Sequence, residues 1–235
     1  MRPANAKVSV VVPTYNEREH IVDLVKALYA QIEAPLEVIV VDDDSPDGTA
    51  GLVAGLDYPG LVLIRRRVRG LAAAFMRGII ESTGDIVCWM DADMTMPVEV
   101  LVRLIGQLDR HDIAVGSRYA PGGSDNRAPI RTLASKTING LARLVLGGHV
   151  RDYDSGFVAV RRDVFNTVTL MPYGYGEYFM EFLFDAQRHG LSVVEVGYAF
   201  RDRTVGVSKS MPSLVSFIIT GSRYVLRILS VRLKN

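Results

Sequence analysis

The sequence predicts an α/β fold in which a mostly parallel sheet is flanked by helices. Short apolar runs rich in β-branched residues alternate with amphipathic helical patterns over residues 8–116, which is typical of βαβ units. In addition, 49% of the 235 residues are hydrophobic, enough to form a sizeable core. No repeat, low-complexity segment or long linker divides the chain. We therefore predict one compact domain.

The first half of the chain contains five predicted strands and three predicted helices. The strands are the runs of β-branched and aliphatic residues at 8–12, 36–41, 61–64, 86–90 and 113–116. The helices show apolar residues at helical spacing; they begin near 17–19, 70 and 97 and end near 28, 82 and 108. Pro97 favours the start of the third helix, because proline is common at the first helical position. Residues 42–49 have the composition of a loop.

The second half is less regular. Helices are predicted over 132–146 and 177–189, the latter closed by the C-cap glycine Gly190, and strands over 157–160 and 193–196. A last helix is predicted over 214–233. It has one apolar face, Arg223 and Arg227 lie one turn apart on another face, and no acidic residue follows Asp202. Such a helix either docks on the domain or lies, as a basic amphipathic helix, on a membrane surface.

Charge and cysteine content limit the class of protein. The formal net charge of +1 argues against a general nucleic-acid binder. The single cysteine, Cys88, falls within a predicted buried strand, so we interpret it as a packing residue in a reducing environment. Residues 1–7 lead into a strand without the apolar region of a signal peptide, and no stretch of about 18 residues is continuously apolar. These observations favour a cytoplasmic protein.

Two carboxylates follow the predicted strand at 86–90, in the tripeptide Asp91-Ala92-Asp93. Ligands of open α/β sheets bind beyond the carboxyl ends of the strands. Mg²⁺ prefers oxygen ligands and commonly combines one or two carboxylates with substrate phosphates. The tripeptide therefore indicates a metal–diphosphate site, although an acidic pair that ends a strand in solvent is an equally good explanation of this motif alone.

Six motifs occur in an order that resembles one known family. They are Val10-Val11-Val12-Pro13-Thr14-Tyr15-Asn16-Glu17, Val41-Asp42-Asp43-Asp44-Ser45-Pro46-Asp47-Gly48-Thr49, Met90-Asp91-Ala92-Asp93, Gly116-Ser117-Arg118-Tyr119 with Gly122-Gly123, Asp152-Tyr153-Asp154-Ser155-Gly156-Phe157, and Arg203 with Gly206-Val207-Ser208-Lys209. This pattern is similar to the inverting family-2 glycosyltransferases of the Rossmann-like GT-A fold. Within them it most resembles the polyprenyl-phosphate glycosyltransferases, and residues 45–49 favour the dolichol-phosphate mannose branch over the glucose branch.

The resemblance implies a role for each matching position. Nucleotide-sugar contacts are implied at Pro13, Tyr15, Glu17, Asp42, Gly70, Ala74, Asp91 and Asp93. Catalytic roles are implied at Asp93, Arg118, Asp152 and Arg203, and acceptor-phosphate contacts at Arg118, Arg131, Ser208 and Lys209. Asp91 and Asp93 are the implied ligands of Mg²⁺ or Mn²⁺. The implied transferase domain spans residues 1–210, and residues 211–235 form the basic, membrane-interfacial helix.

Several positions leave alternatives open. Thr95 stands where the family often has a further metal ligand, glutamine, and Ala72 replaces a glycine of the donor loop. Asp152 and Asp154 either orient a substrate or cap the turn at Ser155-Gly156. The basic run of residues 65–67 with Arg69 is either a solvated loop or, in part, a diphosphate contact. For Glu181, a family position and a helix-face salt bridge explain the residue equally well.

The leading functional hypothesis is metal-dependent transfer of mannose from GDP-mannose to a polyprenyl or dolichyl phosphate, with inversion. A phosphate acceptor is already ionised at neutral pH, so it needs positioning rather than a strong base. The alternatives are another nucleotide sugar such as UDP-glucose, a sugar-hydroxyl acceptor, and a non-catalytic nucleotide-sugar-binding subunit. The expected setting is the cytosolic face of a membrane, with a possible membrane-anchoring partner subunit and no nucleic acid.

Overall fold

The computed structural model describes residues 5–174, 176–201 and 214–234, with side chains of the last helix described over 221–233. Its strands are β1 (Val8–Thr14), β2 (Leu36–Asp42), β3 (Leu61–Arg65), β4 (Ile86–Trp89), β5 (Ile113–Ser117), β6 (Ser124–Asp125), β7 (Val158–Arg161), β8 (Val193–Gly197) and β9 (Ala199–Phe200). Its α-helices are α1 (Ile21–Gln31), α2 (Thr49–Ala54), α3 (Leu71–Glu81), α4 (Val98–Gln107), α5 (Pro129–Leu146), α6 (Glu177–Arg188) and α7 (Leu214–Lys234).

Seven strands form the central sheet, in the order β3-β2-β1-β4-β7-β5-β8. The strands run parallel except β7, which is antiparallel to both of its neighbours. Strands β6 and β9 pair as a separate two-stranded sheet. The predicted α/β fold with a mostly parallel sheet is confirmed. The register places Val158, the first residue of β7, opposite Trp89 and Val115, so β7 begins at the edge where β4 and β5 end.

Helices cover both faces of the sheet, so its inner strands are apolar on both sides. On one face α3, α5, α6 and α7 pack around an aromatic cluster centred on Trp89 of β4. On the other face α1, α2 and α4 pack on alternate strand residues, among them the fully buried Cys88. Helix α3 approaches the sheet so closely that a Cβ on Gly78 would lie 2.2 Å from Val11 Cγ1. Close helix–sheet packing here thus depends on glycine.

Local elements differ from the prediction where side chains override composition. Residues 42–49 have loop composition, yet α2 begins at Thr49, whose amide and hydroxyl both donate to Asp47 Oδ1, at 2.9 and 2.6 Å. Helix α1 begins at Ile21, later than expected, because the carbonyl of Glu17 closes a separate turn before it. Helix α5 begins three residues earlier than predicted, at Pro129. The two-residue strands β6 and β9 were not predicted.

Helix α7 packs on the domain through Tyr224, Ile228 and Val231, which are buried. Its Leu226, Leu229 and Leu233 remain exposed. Arg227 does not share an exposed face with Arg223, because its guanidinium forms an ion pair with Glu181 of α6. This contact favours the salt-bridge explanation of Glu181. Across the residues that the structure describes, no helix combines the length and apolar character required to cross a bilayer.

The amino edge of the sheet, opposite the predicted site, is held together by the buried carboxylate of Glu37. It accepts hydrogen bonds from Lys7 Nζ (2.7 Å), Ser9 Oγ (2.5 Å), and the amide and hydroxyl of Thr83 (2.5 and 2.8 Å). Burial opposes ionisation, but these donors outweigh it and lower the pKa of Glu37 from 4.5 to about 2. The ionised carboxylate therefore stabilises the fold.

We predict that Glu37→Gln lowers the free energy of unfolding by about 2 kcal/mol at neutral pH. Because the folded-state pKa is depressed, the stabilisation is complete above pH 4.5 and is lost as the pH falls towards 2. Urea denaturation of both proteins at neutral pH and near pH 3 measures the difference. It should shrink at the lower pH; an equal difference at both values would contradict a charge-dependent contribution.

Candidate active site

A cavity of about 320 Å³ lies where β1, β2 and β4 end. Five residues predicted to contact the nucleotide sugar line it: Pro13, Tyr15, Glu17, Gly70 and Asp91. Three non-glycine residues just after these strands, Asn16, Asp44 and Met94, have positive φ angles of 55°, 56° and 63°. Backbone strain of this kind concentrates at functional sites. The carboxyl edge of the sheet is thus the candidate donor site.

Asp43, rather than Asp42, faces this cavity. Asp42 is fully buried; its carboxylate accepts from Thr14 Oγ1 at 2.8 Å and from the amide and hydroxyl of Ser45 at 3.0 and 2.6 Å. Burial raises the pKa of Asp43, and the Gly70 amide that donates to its Oδ2 at 2.9 Å opposes the rise. Asp42, for which the resemblance implies a nucleotide contact, therefore lies behind the residues that line the cavity. Its hydrogen bonds stabilise the loop that carries Asp43.

The basic loop before α3 folds over the cavity. The Arg69 guanidinium lies 3.7 Å from the centre of the Tyr15 ring and donates to the Tyr15 hydroxyl. Arg66 forms an ion pair with Asp43 at 3.5 Å. Arg65, in contrast, makes an exposed pair with Asp44. Part of the run therefore faces the cavity, as one of the two interpretations of the sequence expected, and the rest is solvated.

The carboxylates of Asp91 and Asp93 differ in their surroundings. Asp91 is partly exposed and lines the donor cavity. Asp93 is 8% exposed and lies at the wall of a neighbouring cavity of about 650 Å³, together with Thr95 and Tyr198. Its Oδ1 accepts from the Thr95 amide at 3.1 Å and the Thr95 hydroxyl at 2.5 Å. Thr95 thus orients Asp93, which is a different task from the metal-ligand role that the resemblance implies for glutamine at this position.

The donor set at this edge fits a hard divalent cation that also binds phosphate. In the ranges that the structure describes, no cluster of three or more His, Cys, Asp or Glu side chains could hold a metal. Asp91 and Asp93 offer two carboxylates at one strand end, which is the usual protein contribution to a Mg²⁺ site completed by substrate phosphates. The pair therefore fits a cation that arrives with a diphosphate.

Arg118 and Asp152 form a buried ion pair beside this edge. Arg118 follows β5, and the loop before the antiparallel β7 carries Asp152 to the same edge of the sheet. Arg118 Nε and Nη2 donate to the two oxygens of Asp152 at 2.8 and 2.6 Å, and the Arg118 amide donates at 2.9 Å. Burial disfavours the guanidinium charge, but Asp152 outweighs this effect and holds the pKa of Arg118 above its usual value.

Neither residue of this pair lines the donor cavity or the groove described next, and their side chains are 5% and 0% exposed. In this structure each residue uses its charged atoms on the other, and the substrate contacts that the resemblance implies for both stay a prediction. Asp152 does not cap the turn at Ser155-Gly156 either. Their position at the site edge suits residues that hold neighbouring groups in place.

An apolar groove of about 390 Å³ runs between α5 and α7. Arg127 and Arg131 line it together with Asp154, and the exposed Ile130 and Leu133 contribute apolar surface. Asp154 links this groove to the buried pair: its carbonyl accepts from Arg118 Nη2 at 3.1 Å, and its Oδ2 lies 3.5 Å from the same nitrogen. The groove therefore ends at the same sheet edge as the Arg118–Asp152 pair.

Comparison with known proteins identifies the family. The family described as Glycosyl transferase family 2 matches residues 9–169. The chain belongs to glycosyl transferase family 2. The match spans β1 to β7 and so includes the donor cavity, the Asp91/Asp93 pair and the Arg118–Asp152 pair. The predicted family, and with it the prediction of a glycosyltransferase, is confirmed.

Two relatives within glycosyl transferase family 2 are similar over most of this chain. Dolichol-phosphate mannosyltransferase of Pyrococcus furiosus is 40% identical over 86% of the chain, and polyprenol monophosphomannose synthase of Mycolicibacterium smegmatis is 36% identical over 85%. The chain spans 59% of the length of the first and 79% of the second. Glucosyl-3-phosphoglycerate synthase of Mycobacterium tuberculosis has the same fold, with a TM-score of 0.74, 20% identity and coverage of 97% and 81% of the two chains.

Some residues implied by the family-2 resemblance lie elsewhere. Ala74 is 1% exposed and belongs to the core on the α3 side of the sheet, as does Ala72. Arg203, Ser208 and Lys209 lie outside the described residues. The sequence analysis did not identify Asp43 as a cavity residue, although the alternation of side chains at a strand end was a signal for it. It also did not identify Tyr224 as a neighbour of Asp154, for which the sequence contains no local signal.

Proposed function

We propose that this chain transfers mannose from GDP-mannose to a polyprenyl phosphate, with inversion at the sugar carbon. The observation that carries the proposal is the pairing of an apolar groove bordered by Arg127 and Arg131 with a donor cavity at the same sheet edge. An isoprenoid chain needs an apolar surface, and its phosphate needs cations at one end. The names of the two family relatives, a dolichol-phosphate mannosyltransferase and a polyprenol monophosphomannose synthase, support this substrate class.

The donor half of the site is suited to a nucleoside diphosphate that gathers negative charge as the glycosidic bond breaks. Gly70 and Leu71 bring the amino end of α3 to the cavity wall, and helix amino ends favour phosphate. Arg69, beside Tyr15, adds a cation at the same wall. Positioned charges of this kind stabilise a developing anion. Tyr15, Pro13 and Asp43 are proposed to hold the nucleoside.

Asp91 and Asp93 would hold Mg²⁺ or Mn²⁺ together with the donor diphosphate. The bound cation would offset the charge of the departing nucleotide as a Lewis acid. Solved structures of the mycobacterial synthase contain Mn²⁺ or Mg²⁺ together with UDP, which supports a divalent cofactor in this fold. In this chain Thr95 fixes Asp93, and the partly exposed Asp91 presents its carboxylate to the cavity.

The acceptor half has to position a nucleophile that is already ionised. A phosphate monoester carries negative charge at neutral pH, so Arg131 needs only to bind and aim it. Arg127 lines the same groove but already donates to both carboxylate oxygens of Asp125, at 2.8 and 2.7 Å. Arg203, Ser208 and Lys209 are proposed as further phosphate contacts. Asp152 serves the reaction by holding Arg118, a positioning role rather than contact with the reacting atoms.

Helices α5 and α7 are proposed to lie on the cytosolic face of a membrane. Their exposed apolar side chains include Ile130, Leu133, Leu144, Leu226, Leu229 and Leu233. Basic side chains of the same helices, such as Lys136, Arg143 and Arg223, suit anionic lipid headgroups. This arrangement brings the groove to the level at which a polyprenyl phosphate displays its headgroup. A membrane-anchoring partner subunit remains part of the proposal.

We predict that Leu133→Ser and Leu226→Ser, one on each helix, lower vesicle binding by about tenfold each, since burying a leucine contributes about 1.5–3 kcal/mol. Flotation with vesicles of phosphatidylcholine and phosphatidylglycerol measures the bound fraction. Ile80→Ser is the matched control, because Ile80 is 68% exposed and lies on α3, which contributes no residue to the groove between the two helices. Equal flotation of all three variants and the wild type would contradict membrane contact through α5 and α7.

Donor choice is tested by incubating the chain with a short polyprenyl phosphate and labelled GDP-mannose or UDP-glucose, with Mg²⁺, Mn²⁺ or chelator. Formation of a mannolipid from GDP-mannose, abolished by chelator, is the expected result. If only UDP-glucose gave a product, the proposed sugar and nucleotide base would be wrong, and the proposed acceptor would be retained. Donor binding without any lipid product would favour a non-catalytic subunit.

A further inference from the structure

We propose that Tyr224 of α7 is a positioning residue for the acceptor: it holds Asp154 against Arg118 and so ties the lipid-facing helix to the catalytic edge. The inference rests on the proposed function and extends it to a residue outside the span matched by the family. As a consequence, the positions of the phosphate-binding groups depend on the packing of α7 against the domain.

The contacts form a continuous chain from α7 to β5. The Tyr224 hydroxyl donates to Asp154 Oδ1 at 2.6 Å. The other carboxylate oxygen of Asp154 lies 3.5 Å from Arg118 Nη2, the nitrogen that also donates to Asp152. Tyr224 is 6% exposed, although it lies on a helix whose neighbouring turns display leucine to solvent. The hydrogen bond to Asp154 explains why the Tyr224 hydroxyl is buried.

The surroundings are shaped around this hydrogen bond. A Cβ added to Gly176, just before α6, would lie 2.0 Å from the Tyr224 hydroxyl and 2.6 Å from Asp154 Oδ1. Only glycine at position 176 leaves room for the two groups to meet. One turn further along α7, Arg227 pairs with Glu181 of α6 and its Nη2 donates to the Tyr173 hydroxyl at 3.1 Å. The Arg227–Glu181 ion pair fixes the helix at the register that delivers Tyr224.

Asp154 also lines the groove proposed for the acceptor, so its position affects what the phosphate meets. The charged and titratable groups facing it are Arg118, Asp152, Arg127 and Tyr224. Burial raises the pKa of Asp154, while Arg118 and the Tyr224 hydrogen bond act in the opposite direction. The Tyr224 hydrogen bond therefore lowers the pKa of Asp154 as well as fixing its position, and the ionised form of Asp154 attracts Arg118 more strongly.

The test is Tyr224→Phe, which removes the hydroxyl and keeps the ring. With the full chain, GDP-mannose and a short polyprenyl phosphate, we expect kcat/KM for the acceptor to fall about tenfold, because the lost hydrogen bond involves a charged group. KM for the donor should stay at the wild-type value. The acidic limb of acceptor kcat/KM should move to higher pH, and since the phosphate titrates identically in both enzymes, the shift reports on Asp154.

Two further variants make the result specific. Tyr173→Phe removes a hydroxyl that accepts a hydrogen bond from Arg227 of α7, and it should retain wild-type parameters. Asp154→Asn should reproduce the acceptor-selective loss, and the double variant with Tyr224→Phe should lose no more than the larger single variant. An active Tyr224→Phe enzyme with wild-type acceptor kinetics and pH profile would overturn the inference alone. Absence of transfer by the wild-type chain from every donor would overturn the proposed function and the inference together.

Discussion

Asp91→Asn is expected to lower the rate of sugar transfer by about 10²–10³-fold, because it removes one of the two carboxylates that we propose bind the cation and, through it, the donor diphosphate. The side chain is partly exposed at the wall of the donor cavity, so the substitution leaves the core intact. The loss should appear in kcat as well as in donor binding, since the charge that the cation offsets grows as the bond breaks.

Asp57→Asn is the matched control, because Asp57 is exposed in the loop between α2 and β3. It should transfer sugar at the wild-type rate. Calorimetric titration of GDP with Mn²⁺ present gives a second, activity-independent measurement, in which Asp91→Asn should bind more weakly and Asp57→Asn should not. Transfer by Asp91→Asn within about twofold of the wild-type rate would contradict the assignment of this edge as the metal–diphosphate site.

Asp152→Ala is expected to lower the free energy of unfolding by about 3–5 kcal/mol, because it leaves the Arg118 guanidinium buried without its main partner. Arg118 is 5% exposed and makes three of its hydrogen bonds to Asp152. For a chain of this size, about 2–4 °C in Tm per kcal/mol gives a fall of roughly 10 °C. Thermal denaturation followed by circular dichroism measures it.

Asp163→Ala provides the comparison, because Asp163 is exposed and its partner Arg161 is only half-buried, and such surface pairs contribute less than about 1 kcal/mol. Adding Arg118→Met to Asp152→Ala should recover part of the lost stability, since the double variant no longer buries an uncompensated charge. If Asp152→Ala kept wild-type stability and lost only activity, direct contact with substrate would explain the residue better than the positioning role.

The sheet was predictable because its inner strands are buried on both faces and so stand out as apolar runs. Strand β1 illustrates this: every residue from Val8 to Thr14 is buried. The antiparallel insertion of β7 between β4 and β5 was not predictable, because strand order depends on contacts between residues far apart in sequence. Helix α2 was missed because its start depends on one side chain, Asp47, acting within a loop-like segment.

The sequence predicted which strand ends form the donor cavity, but it did not predict every side chain that lines it. Parallel strands bring their carboxyl ends to one edge, so Tyr15 and Asp91 meet although they are distant in sequence. At the end of β2, however, adjacent side chains point in opposite directions, and a shift of one residue separates the buried Asp42 from the cavity-lining Asp43. Motif matching alone does not resolve that shift.

The acceptor side was the least predictable part of the site. Asp154 and Tyr224 are 70 residues apart, and no local pattern connects a turn aspartate to one tyrosine of an amphipathic helix. The same holds for Arg227, whose partner Glu181 lies on α6 and withdraws it from the expected basic face. In each case the tertiary packing of α7 decides which polar side chains of the helix face inward.

The most direct test of polyprenyl-phosphate glycosyl transfer compares acceptors at a fixed donor. The chain is incubated with labelled GDP-mannose and Mg²⁺ in vesicles that contain a polyprenyl phosphate, the matching polyprenol, or neither, beside a soluble mannose oligosaccharide. Label should enter the lipid fraction only with the polyprenyl phosphate, because the proposed acceptor is already ionised and its transfer requires positioning rather than a general base. Label transferred to the sugar hydroxyls, with none in the phosphate-containing vesicles, would contradict the assignment of the groove and its arginines to a lipid phosphate.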